Sequence, residues 1–198
     1  MLLNNKNVKI MAPFLSDYNA SLTASTIANK YNLNQKSVSN LLNSLEKDSF
    51  LKSRIDGRNK LFYLNLDNPI IDHLISLIEH FRTGEFYKEN PLIREISLKL
   101  LDISDGIVII FGSYAKQRHK SYSDLDILII GKYNESKFDK ISEIYKIDIN
   151  VKNYPLNILK KVIKNQDPLI EEVIKNHIIL KGVQEFVENL KVKYHGKN

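Results

Sequence analysis

A chain of 198 residues, 43% of them hydrophobic, is long enough for one medium domain or two small ones around a buried core, and it contains no apolar run long enough to span a bilayer and no leader-like start, so a cytoplasmic protein without a membrane partner is expected. The absence of cysteine excludes disulfides and thiolate zinc sites, and the five histidines (His73, His80, His119, His177 and His195) show no ligand spacing, so any catalytic metal must rest on carboxylates. The net charge of +6 is mostly N-terminal, with nine Lys/Arg against five Asp/Glu in residues 1–68, which is compatible with a polyanion partner for that part of the chain.

From Val8 to Tyr18 the apolar positions Val8, Ile10, Met11, Phe14 and Leu15 follow helical spacing, with Pro13 predicting a short or bent helix. Thr23 is a candidate N-cap for a helix to about Tyr31. Asn34 is another, for a helix from Gln35 to about Lys47 whose stripe is Val38, Leu41, Leu42 and Leu45. The few residues between these helices, Asn32 and Leu33 among them, fit a helix-turn-helix joint. Two alternating runs follow, Phe50 to Ile55 and Lys60 to Leu66, joined by Asp56-Gly57-Arg58-Asn59, which predicts a β-hairpin. Three helices, a basic hairpin, the lead-in Leu45-Glu-Lys-Asp-Ser-Phe-Leu51 and Tyr63 in the second strand resemble the winged-helix domains of MarR-like and ArsR-like regulators. That resemblance covers the first third of the chain. It implies contacts to double-stranded DNA from Gln35, Lys36, Ser37 and Asn40 on the second helix of the motif, and from Arg54, Arg58 and Lys60 in the wing.

Pro69 to Phe81 reads as an amphipathic connecting or dimerising helix, ended by Thr83-Gly84. A further helix is expected over Pro91 to Leu101, followed by a buried strand at Ile107 to Phe111. Asp124 to Ile130 and Lys146 to Val151 read as two more strands. Helices are then expected near Leu156 to Lys164 and Pro168 to Asn176, a short strand over His177 to Leu180, and a last helix over about Val183 to Val192. His119 reads as an exposed loop residue, and the other histidines as belonging to helix surfaces and the tail.

The chemistry-bearing stretch begins where the first buried strand ends in Gly112-Ser113. Ten residues later a strand opens on Asp124-Leu125-Asp126. At i and i+2 on a strand the two carboxylates share one face, while Leu125, Ile127 and Ile129 take the other. Like charges about 4 Å apart cost roughly 4 kcal/mol at an effective dielectric near 20, so the pair calls for a cation or a shared proton. Magnesium suits it, being a hard ion that keeps water and phosphate oxygens as further ligands. Gly112 lets the backbone approach a phosphate, and Ser113 adds a hydroxyl and N–H donors. Two-metal phosphoryl chemistry wants a third carboxylate, and Asp148 fits best, since Ile147, Ile149 and Val151 take the buried face of its strand. Lys116, with Arg118 and Lys120 beyond it, is the basic residue best placed to reach a triphosphate.

Gly-Ser, a ten-residue gap, Asp-x-Asp, a later strand carboxylate and the closing strand and turn Asn176-His-Ile-Ile-Leu-Lys-Gly182 resemble the minimal branch of the polymerase-β-like nucleotidyltransferase superfamily. The resemblance implies that Asp124 and Asp126 ligate two Mg2+ ions, that Asp148 ligates one and is the candidate base, and that Gly112 and Ser113 hold the β and γ phosphates of ATP or another nucleoside triphosphate. One departure is Gln117, where many members carry glycine. The fold expected is α+β: a winged helix-turn-helix over 1–66, a connecting helix over 67–84, and a nucleotidyltransferase domain with a mixed sheet flanked by helices over 85–198. Members of the minimal branch are similar to antitoxins that transfer AMP to a tyrosine of a HEPN-type toxin, which makes such a protein a candidate acceptor and partner. A homodimer is expected. The alternative is a transcription regulator whose second domain senses nucleotide without turnover.

Overall fold

The computed structural model describes residues 4–119 and 123–194, so Lys120 and His195 lie outside the described residues. The chain divides into two compact units: residues 1–78 with 190–198, and residues 79–189. No helix among the described residues is long and apolar enough to cross a membrane.

The first unit opens with α1 (Asn5–Ser16), whose Asn4 side chain caps the N–H of Asn7 and which carries Pro13 internally. Then come α2 (Ala24–Tyr31) and α3 (Gln35–Lys47), capped by Thr23 and Asn34, whose side chains accept the N–H groups of Thr26 and Ser37. Such a cap is typically worth about 1 kcal/mol. Asn32 closes α2 with a left-handed backbone (φ 50°), which turns the chain at once toward α3. Val38, Leu42 and Leu45 are buried along α3. Strands β1 (Leu51–Asp56) and β2 (Asn59–Leu64) pair antiparallel with Asp56 opposite Asn59, leaving Gly57 (φ +58°) and Arg58 as a two-residue loop. Phe62 ties this hairpin to the chain ahead of α2 through reciprocal backbone bonds with Leu22, 2.8 and 2.9 Å.

Helix α4 (Ile71–Glu89) corrects the expectation of a break at Thr83-Gly84: it runs unbroken for 19 residues. A glycine inside a helix costs about 1 kcal/mol. Anchoring on both sides outweighs it, because the Thr83 hydroxyl donates to the carbonyl of Ile179 at 2.8 Å and Phe86 is buried.

The second unit is built on a four-stranded mixed sheet in the order β5-β4-β3-β6. β3 (Ser104–Ile110) lies antiparallel to both β4 (Leu125–Tyr133) and β6 (Ile178–Lys181), while β4 and β5 (Ile149–Tyr154) run parallel. On one face Val108, Ile110, Leu125, Ile127 and Ile129 pack with α5 (Pro91–Leu101) and α7 (Glu135–Tyr145) through Ile93, Ile96, Leu100, Phe138 and Ile141. Ile107, Ile109, Leu128 and Ile130, which alternate with these, are also fully buried, so both faces are covered. The remaining helices are α6 (Gly112–Ala115), α8 (Leu159–Lys164) after a 3-10 turn over Leu156–Ile158, α9 (Pro168–Lys175) and α10 (Val183–Tyr194).

Two further differences from the sequence reading concern this unit. Helix α7, which lies between two expected strands, is capped by Asn134 at its start and closed by Lys146 in the left-handed region (φ 51°). Residues 146–148 therefore belong to the exit from that helix, and β5 begins at Ile149 instead of Lys146. His177 is not a surface residue: it is 2% exposed, its Nε2 lies 3.1 Å from Glu79 Oε1 and its Nδ1 lies 3.0 Å from the carbonyls of Val173 and Ile174. Arg82 completes this buried cluster, 2.8 Å from the Glu79 carboxylate and 3.1 Å from the His177 carbonyl.

Candidate active site

At the end of β3 the chain leaves the sheet at Phe111, whose N–H still donates to the Asp126 carbonyl at 3.0 Å, and turns into the single-turn helix α6. Gly112 makes the turn with φ +68°, in direct apposition to Asp126. A Cβ at that position would stand 2.0 Å from Asp126 Oδ2 and 2.9 Å from its Cγ. Only glycine fits there, for two reasons at once: the left-handed backbone and the absence of room. The glycine-serine bend and the second carboxylate of the Asp-x-Asp strand are thus in van der Waals contact.

Asp126 lies at the second position of β4, with Leu125 and Ile127 buried on the other face. Asp124 immediately precedes the strand and is exposed. The parallel register sets Asp126 beside Asn150 and Leu125 beside Ile149. Asn150 therefore shares the face of the two aspartates, and its Nδ2 donates to Asp124 Oδ2 at 3.2 Å. Burial pushes the Asp126 carboxyl above the ordinary aspartate value; the Asn150 amide opposes this, Asp124 and Glu172 add to it, and Lys116 opposes it.

Lys116 follows α6 directly, and its ammonium pairs with Glu172 Oε1 at 2.8 Å. Gln117 keeps the left-handed backbone (φ 53°) that a glycine would adopt without strain, its N–H donating to the Tyr114 carbonyl at 3.1 Å and its amide reaching Glu89 at 3.4 Å. The loop shape suited to glycine is kept with a side chain in place. Arg118 donates its N–H to the Ser113 carbonyl at 3.0 Å, and the exposed His119 ring stacks on Tyr114 with centroids 4.3 Å apart.

Asp148 sits one residue before β5 and its carbonyl accepts the Leu125 N–H at 2.8 Å. Among the described residues no three His, Asp or Glu side chains gather into a group that could hold a metal ion. The structure therefore brings Gly112, Asp124 and Asp126 together, with Ser113 and Lys116 adjoining, and does not draw Asp148 into a three-carboxylate set with them. Burial disfavours the ionised form of the Asp126 carboxyl, a penalty that a hard cation held by Asp124 and Asp126 would relieve. Two residues of the site were not singled out from sequence. Asn150 was signalled by its i+2 relation to Asp148, whereas Glu172, 46 positions after Asp126, had no local signal.

In the first unit, Gln35, Lys36, Asn40, Arg54 and Arg58 are exposed. Ser37 accepts a hydrogen bond from Lys6, and Lys60 is engaged by Glu46 at 2.6 Å and Asn43 at 2.9 Å.

Residues 93–181 match the family model of the nucleotidyltransferase domain, a span that contains β3, the bend, both aspartates and β6. The match supports nucleotidyl transfer as the general chemistry of the second unit, and the mixed sheet flanked by helices is compatible with that fold. Among curated proteins the chain is similar to the probable capsid protein 3 of Acanthamoeba polyphaga mimivirus, 29% identical over 168 residues, which are 84% of this chain and 8% of that protein. The chain thus spans a small fraction of the length of that relative. No solved structure matches it.

Proposed function

We propose that the second unit transfers a nucleoside monophosphate, AMP from ATP, to a hydroxyl acceptor and releases pyrophosphate. The observation that carries this reading is the contact of Gly112 with Asp126 beside Asp124, since one substrate, a triphosphate bridged by a divalent cation, needs both halves at once. Asp124 and Asp126 would hold Mg2+, and the cation would neutralise the triphosphate; a role for Asp148 at a second ion rests on the resemblance, since its backbone carbonyl, not its carboxylate, is what the structure ties to β4. Gly112 and Ser113 would bind the phosphates, and Lys116 would add a positive charge. Catalysis would then be positioning and charge neutralisation. A HEPN-type protein is the acceptor suggested by the resemblance to the minimal branch.

The first unit, in this reading, is a winged helix that binds double-stranded DNA, as a homodimer in the cytoplasm. The exposed Gln35, Lys36, Asn40, Arg54 and Arg58 support it, and Ser37 and Lys60 would have to exchange their present partners for DNA. Binding measured by anisotropy should weaken steeply with salt, and Arg54→Ala with Arg58→Ala should flatten that dependence.

The test of transfer is incubation with Mg2+, candidate acceptors and ATP labelled at the α-phosphate. Incorporation should fall by about a thousandfold or more in Asp124→Asn and in Asp126→Asn. A second reading, nucleotide sensing without turnover, is favoured by Asn150 standing at the Asp126 register where a third carboxylate would strengthen metal binding. Saturable ATP binding with no pyrophosphate release would establish it in place of transfer.

A further inference from the structure

The ion pair between Lys116 and Glu172 joins the turn after the glycine-serine bend to helix α9. Helix α9 is fixed from two sides. Asp167 caps it by accepting the N–H groups of Leu169 and Ile170, and also accepts the Tyr154 hydroxyl at 3.0 Å. Ile170, Val173 and Ile174 are buried beneath it. With that face committed inward, Glu172 is presented at the site's rim, and both Glu172 and Lys116 act electrostatically on Asp126. The pair is half in water, with side-chain exposures of 35% for Lys116 and 47% for Glu172. A pair of that exposure adds little to stability and exchanges partners cheaply.

We propose that Glu172 is a resident counter-ion for Lys116 that an incoming triphosphate displaces, so that Glu172 weakens triphosphate binding and thereby sets its threshold. The inference rests on the nucleotidyl-transfer reading and deepens it. A phosphate oxygen and the Glu172 carboxylate compete for one ammonium. When Lys116 turns to the phosphate, the freed carboxylate still adds its negative charge to the field at Asp126, which a cation bound with the triphosphate would offset. Displacement is therefore easier for cation-bound triphosphate than for the bare anion.

The test is ATP affinity by calorimetry with Ca2+ present, for the full chain and for Glu172→Gln, Lys116→Ala and the double variant, with unchanged thermal unfolding as the folding control. Glu172→Gln should tighten binding about three- to fivefold, the release of one exposed ion pair, and Lys116→Ala should weaken it about tenfold. In the Lys116→Ala background the Glu172→Gln gain should vanish. Weaker or unchanged binding in Glu172→Gln, or a gain that persists without Lys116, overturns the proposal while leaving the transfer reading intact. Absence of ATP binding by the wild type would overturn both. A nucleotide-free readout comes from the rate at which Lys116 is labelled by an amine-reactive reagent, followed by mass spectrometry. Glu172→Gln should accelerate labelling and tripolyphosphate should suppress it again; an equal rate in the wild type and the variant contradicts the counter-ion role.

Discussion

Asn150 donates from Nδ2 to Asp124 Oδ2 across 3.2 Å while standing at the β5 position paired with Asp126. One neutral amide thus bears on both carboxylates. Its removal should raise the Asp126 carboxyl further, because Asn150 is one of the groups that hold it down. In cation-free protein, carboxyl NMR of Asn150→Ala should show Asp126 titrating at higher pH than in the wild type, with a stability loss of under about 1 kcal/mol. An unmoved titration would mean that the amide does not bear on the pair.

The same raised carboxyl has a consequence for stability. A folded-state value above the unfolded one means a contribution fully present below the unfolded value and lost as pH rises through the folded value. Asp126→Asn should therefore be more stable than the wild type at neutral pH without cation, and the gain should disappear in acid below the ordinary aspartate range. Adding Mg2+ should raise the wild-type Tm and leave the variant's nearly unchanged. Thermal unfolding at two pH values, with and without Mg2+, reads both effects.

Gly112→Ala places a methyl where Asp126 Oδ2 stands and forces a left-handed alanine. A loss of about 1–3 kcal/mol is expected by urea denaturation. The cost should be partly relieved in the Asp126→Ala background, with a coupling on the order of 1 kcal/mol. Additive losses would show that the bend and the carboxylate are not in contact.

The buried Glu79–Arg82–His177 cluster should be a main support of the second unit. Burial pushes the Glu79 carboxyl up, but Arg82 and His177 outweigh it and hold the group below the usual glutamate value. Removing one member strands the others, so Glu79→Ala should cost about 3–5 kcal/mol at neutral pH. Since a depressed carboxyl contributes stability above its unfolded value and loses it as pH falls through the folded one, wild type and Glu79→Gln should converge in acid below about pH 4.3. Denaturant titrations at neutral and acid pH test the sign.

Gly84→Ala tests the continuity of α4. Nothing lies within 4 Å of an added Cβ, and the backbone there is helical, so a gain of about 0.4–1 kcal/mol is expected. A loss would mean that the helix is interrupted in solution.

What could be read from the sequence was what is written locally. Thr23 and Asn34 marked helix starts because capping is a property of a few adjacent residues, and Asp126 followed from the alternation of β4, whereas Asp124, expected to open that strand, lies one residue before it. Thr83-Gly84 misled because the forces that keep the helix intact there, the bond to Ile179 and the burial of Phe86, come from distant packing. His177 looked unpartnered because Glu79 lies 98 positions away. Glu172 reaches Lys116 across 56 positions and was invisible for the same reason.

The first unit is not contiguous in sequence: it includes residues 190–198 beside 1–78. Among the described ones, Tyr194 packs its ring 5.7 Å from that of Tyr18, and Lys191 lies 3.4 Å from Asp72. During synthesis, the amino-terminal helices and hairpin must wait through more than a hundred further residues before the last turns of α10 arrive to seal them. A ribosome-bound chain not yet extended past Leu190 would lack the contacts of Lys191 with Asp72 and of Tyr194 with Tyr18 that belong to this unit.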